Sequence, residues 1–125
     1  MAQAVGQALL TCDAVARDPN GKITLYGIFD RISAAQFPTV HPLLSVYWRC
    51  HVPGPGRVTV SILRPDGSTL IEFGPIQTGK EGSHAMQGTY TVDGIEFPTD
   101  GEYALRMTYN GQEVMRASLY LQKRG

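Results

Sequence analysis

Between residues 44 and 52 apolar and polar side chains alternate: Leu44, Val46, Trp48, Cys50 and Val52 are separated by Ser45, Tyr47, Arg49 and His51. The same period of two runs through Tyr103, Leu105, Met107 and Tyr109, set against Glu102, Ala104, Arg106 and Thr108. Successive side chains of a strand point to opposite faces, so each segment predicts a strand with one inward face. Further strands are predicted over residues 8–15, with Ala8, Leu10, Cys12 and Ala14 on one side, and over 22–32, 57–64, 69–73, 85–92 and 112–121.

The breaks between these segments carry turn chemistry. Asp18-Pro19-Asn20-Gly21 makes a hairpin of the first two strands, Pro fixing φ and Asn-Gly tolerating positive φ. Asn110-Gly111 is the strongest short hairpin signal in the chain. Pro53-Gly54-Pro55-Gly56 and Pro65-Asp66-Gly67 turn the middle strands, residues 33–42 form a proline-bounded connection, and the polar stretch 77–83 is the expected mobile loop. Breaks about every ten residues, some eight strands and no amphipathic helix predict an all-β fold. Its expected form is a two-layer antiparallel β-sandwich, a single domain over 1–125, with a closed barrel as the next architecture.

Phe97-Pro98-Thr99-Asp100-Gly101-Glu102-Tyr103 resembles the corner of immunoglobulin-like domains, where a tyrosine hydroxyl after a glycine turn bonds backward to the chain. The Asp-to-Gly spacing is one residue short, Leu105 stands where a Cys would be, and Trp48 precedes Cys50 on one face. The resemblance therefore implies immunoglobulin-like sandwich geometry and not antibody-like function.

Composition narrows the classes. Eleven Lys and Arg balance eleven Asp and Glu, so no net field draws the chain to phosphate backbones or anionic lipid, and neither nucleic acid nor membrane is an expected partner. At 42% hydrophobic and 18% charged the chain is too apolar for disorder, and it has no apolar run of membrane-spanning length. The start, Met1 to Gln7, carries no positive charge and is not read as a signal peptide. Cys12 and Cys50 lie in apolar strand patterns of a chain long enough to fold without a bridge; they are expected to be reduced core thiols of a cytoplasmic protein.

A second resemblance covers nearly the whole chain. Leu9-Leu10, Cys12-Asp13-Ala14-Val15, Gly21-Lys22, Leu25, Gly27-Ile28-Phe29-Asp30-Arg31-Ile32, Phe37-Pro38, His41-Pro42 and the closing Gly101 and Tyr103 look like a family of small bacterial β-sandwich proteins with no assigned function. That resemblance implies a fold and names no reaction.

Within these motifs Asp13, Asp30, Arg31 and His41 are polar groups beside apolar strands. Brought together across the first hairpin they would form a carboxylate–cation cluster, although turn and solvation roles are the expectation for each. His41, His51, His84 and the two cysteines show no paired zinc spacing. Asp18, Asp66, Asp93 and Asp100 sit in turns that already use them, so calcium is not expected between the loops. No Gly-x-Ser-x-Gly elbow occurs, Ser83 and His84 are adjacent and so face apart, and Gly54 and Gly56 precede no helix that could cradle a phosphate. No enzyme activity, metal or cofactor is expected.

Surface remains. With Trp48 inward, Tyr47, Arg49 and His51 form an outward stripe of residue types common at contact centres, against which stands ordinary cross-strand pairing on a solvated sheet. The expected function is a non-catalytic protein-interaction or self-assembly module, the alternative a small-molecule-binding sandwich. A homo-oligomer is expected because the net charge is zero and because the terminal hairpin, taken as a sheet edge, has few charges beyond Glu102, Arg106, Glu113 and Arg116.

Overall fold

The computed structural model describes residues 3–124. It contains nine strands: β1 (Val5–Arg17), β2 (Ile23–Phe29), β3 (Arg31–Ala34), β4 (Thr39–Val52), β5 (Gly56–Leu63), β6 (Thr69–Thr78), β7 (His84–Phe97), β8 (Gly101–Tyr109) and β9 (Gln112–Lys123). They form a four-stranded sheet ordered β2-β1-β4-β7 and a five-stranded sheet ordered β3-β9-β8-β5-β6, the two layers of a sandwich.

The hairpins form where turn chemistry places them. Asp18 accepts hydrogen bonds from the amides of Asn20 (2.9 Å) and Lys22 (2.8 Å), and Gly21 takes φ 82°. Asp66 does the same for the Ser68 amide (2.9 Å) and hydroxyl (2.6 Å), which hold its carboxyl below the usual range. At Asn110-Gly111 both residues have positive φ, 50° and 85°, as a two-residue hairpin requires. The Asn110 carboxamide also accepts from the Arg57 amide at 2.9 Å, tying this turn to β5.

Four expectations are corrected. Residues 22–32 are not one strand: the chain leaves the four-stranded sheet after Phe29 and resumes in the other at Arg31. The new strand, β3, runs parallel to β9, so the sandwich is not wholly antiparallel. The connection 33–42 is shorter than expected, because β4 already begins at Thr39 and pairs with β7 from Thr39 opposite Phe97. The terminal hairpin is no edge: β9 lies between β3 and β8, and β8 between β9 and β5.

The core lies between the sheets. Leu44, Val46, Trp48, Cys50 and Val52 of β4 meet Val58, Val60 and Ile62 of β5, Leu105 and Met107 of β8, and Leu119 and Leu121 of β9, all buried. Each large side chain so buried contributes on the order of 1.5–3 kcal/mol. Trp48 needs a gap opposite it, and Gly88 supplies one: a Cβ there would stand 2.8 Å from the indole. The corner closes as its resemblance implies. Tyr103, fully buried and edge-on to Phe97, donates its hydroxyl to the Thr99 carbonyl at 2.8 Å.

Both cysteines are buried and unbridged, and burial raises both thiol pKa values. Only Cys50 belongs to the inter-sheet core. On β1 it is Leu9 and Thr11 that face inward and are buried, the Thr11 hydroxyl satisfied by the Phe29 carbonyl at 2.6 Å. Cys12 is fully buried as well, but outside the main inter-sheet cluster. Its register partner Ser45 alternates with inward Leu44 and Val46, so both stand on the sheet's outer face.

Candidate functional site

The change of sheet at Phe29-Asp30-Arg31 organises one side of the molecule. Thr11 fastens its near end to β1. At the far end the Asp30 carbonyl accepts from the Tyr120 amide at 2.7 Å, which sets the parallel register of β3 on β9. Arg31 is then committed: its guanidinium donates to Gln122 at 2.9 Å and lies over the Tyr120 ring, 5.3 Å from the centroid.

Asp13, Arg31 and His41 line an open concavity of about 350 Å³ together with Gly27, Phe29 and Ser33. Gly27 has φ 65°, and a side chain there would run into the Asp13 carboxylate. Asp30 lies elsewhere, on a lateral cleft of about 420 Å³ among Leu9, Leu10, Ile28, Leu105 and Ala117. The four residues thus do not form the ion-paired cluster that the sequence allows. Among the described residues the ion pairs are those of Glu113 with Arg106 (3.1 Å) and Arg116 (2.8 Å) on the terminal hairpin. His41 packs its half-buried ring 5.7 Å from Phe29.

The outer face of the four-stranded sheet is the more distinctive surface. Its register sets Ile28, Cys12, Ser45 and Thr91 in one row across β2, β1, β4 and β7, the last two joined by a 3.0 Å hydroxyl bond. Tyr26 pairs with Ala14 in the neighbouring row, and Leu43, two residues before Ser45 on β4, shares the face. Ile28 is 62% and Tyr26 54% exposed. Leu43, Val40 and Val5 are also exposed, and each shares this face through an outward partner, Asp93, Glu96 and His51 respectively. Ile76 on β6 is the remaining large exposed apolar side chain among the described residues. Val5, Tyr26, Ile28, Val40 and Leu43 are scattered along the chain, so no period in the sequence marks them as one surface.

The stripe is outward, and its first two members are occupied within the chain. Tyr47 donates to the Gln87 side-chain carbonyl at 2.6 Å and Arg49 donates to the same oxygen at 3.3 Å, both from β4 to β7. His51 is exposed opposite Ala85. Tyr47 and Arg49 thereby brace neighbouring strands, and the free apolar area lies toward β2.

Among the described residues no three His, Cys, Asp or Glu side chains converge as a metal would need. Ser83 and His84 do not pair. His84 Nδ1 donates to the Gly82 carbonyl at 2.9 Å, its Nε2 meets the Thr78 hydroxyl at 2.8 Å, and the ring clasps the loop between β6 and β7. This loop is tethered at its ends, a function for His84 that its sequence position did not suggest.

Residues 7–122 match the model of the DUF6941 family, a family of unknown function, and the chain belongs to that family. No curated protein matches it. Among solved structures it is similar to an immunoglobulin-like protein from Pseudomonas aeruginosa, at 14% identity over 96% of this chain and 97% of that one, with a TM-score of 0.46.

Proposed function

We propose, for this member of a family without an assigned function, that the domain acts by contact with protein and not by chemistry, and that the outer face of its four-stranded sheet is the contact surface. One observation carries the reading: among the described residues, five of the six large exposed apolar side chains, Val5, Tyr26, Ile28, Val40 and Leu43, stand on that one face. Apolar area gathered on one face marks association, whereas single apolar residues scattered over a surface need no explanation.

Self-association is the first contact to expect. The formal net charge is zero, so two copies approach without long-range repulsion. Buried, unbridged thiols favour a reducing setting such as the cytoplasm. Sedimentation from micromolar to near-millimolar protein should show a monomer giving way to a larger species. One species at monomer mass throughout would defeat self-assembly.

Ligand binding is the lesser reading, supported by the space that Gly27 leaves beside Asp13. That space is open, its Arg31 is engaged with Gln122 and Tyr120, and Asp30 does not reach it.

A further inference from the structure

A sandwich has four strand edges, and each needs something to stop another chain from adding to it. Here they are β2 and β7 in one sheet and β3 and β6 in the other. β3 is four residues long and opens on Arg31. β6 contains Glu72 and Pro75, and its pairing with β5 is broken by two register shifts. β7 carries Asp93 and Glu96, and it has a positive-φ glycine, Gly94 (φ 77°), as β2 has in Gly27 (φ 65°). β2 reads Ile-Thr-Leu-Tyr-Gly-Ile-Phe, with neither charge nor proline. It is also the edge on which Tyr26 and Ile28 are exposed. The least protected backbone and the most exposed apolar side chains therefore coincide on one strand.

We infer that β2 pairs antiparallel with β2 of a second copy about a two-fold axis, joining the two four-stranded sheets into one of eight strands. The inference rests on the contact reading above and names its partner and seam. A two-fold antiparallel seam is self-complementary, so a strand without charge meets no like charge across it. Centred on Tyr26, the seam sets the two Tyr26 rings opposite each other and each Ile28 opposite Thr24 of the other copy, all on the outer face. Seven residues at about 3.4 Å each make it roughly 24 Å long.

The test is sedimentation of the full chain and of two variants, with circular dichroism as the check on folding. Tyr26→Lys places two ammonium groups face to face at the axis, and the dimer should weaken by at least tenfold. Thr89→Lys, on the edge β7, should leave the dimer as it is. If Tyr26→Lys fails to fold, Ile28→Lys, at a more exposed position, takes its place with the same expectation. A dimer that survives Tyr26→Lys and is lost in Thr89→Lys overturns the β2 seam while leaving self-contact standing. A wild-type chain that stays monomeric overturns both.

Discussion

Gly88 lies under the Trp48 indole, where a single added carbon would come within 2.8 Å of the ring. Gly88→Ala should therefore destabilise the fold by about 1–3 kcal/mol, read as a lowered thermal midpoint, because the indole is enclosed and cannot step aside. The inward position of Trp48 was legible from the alternation along β4, and the Tyr103 hydroxyl bond from the resemblance of residues 97–103 to the immunoglobulin-like corner. Cys12 was not. A buried threonine reads as polar, so Leu9 and Thr11 looked like an interrupted face and Ala8, Leu10, Cys12 and Ala14 like a continuous one. What reverses the reading is the Phe29 carbonyl, which satisfies the Thr11 hydroxyl and makes its burial tolerable.

At the scale of elements, turns were read correctly and strand ends less well. Asn110-Gly111 and Asp18 to Gly21 carry their own conformational preference. The step from one sheet to the other at Asp30 does not, because the alternation continues through it and its register comes from the distant Tyr120 amide. The terminal hairpin β8–β9 is interior to its sheet, so its charges serve each other and do not guard an edge. There Glu113 accepts from Arg116 and pairs in charge with Arg106, and chiefly the hydrogen bond from Arg116 holds its carboxyl below the ordinary glutamate range. A carboxylate depressed in the folded state stabilises above its unfolded pKa and loses that contribution as pH falls through the folded value. Glu113→Gln should then cost only a few tenths of a kcal/mol at neutral pH, the pair being well exposed, and nothing once both forms are protonated in strong acid. Chemical denaturation at pH 7 and near pH 2 reads that difference; an equal cost at both would show that packing, not charge, is lost.

For the whole molecule, the architecture followed from period and punctuation, while the contact surface required the register. Tyr26, Ile28 and Leu43 are scattered in the sequence, and only the pairing of β2 with β1 and of β1 with β4 gathers them. The stripe of Tyr47, Arg49 and His51 was visible because its members are two residues apart, yet Gln87 holds the first two within the chain. The seam at β2 is tested most directly by amide hydrogen exchange followed by mass spectrometry at low and high protein concentration. Exchange in residues 23–29 should slow as concentration rises, while residues 84–92 of β7 exchange at one rate throughout. Exchange at 23–29 that is independent of concentration, or protection that arises at β7 instead, would contradict the account.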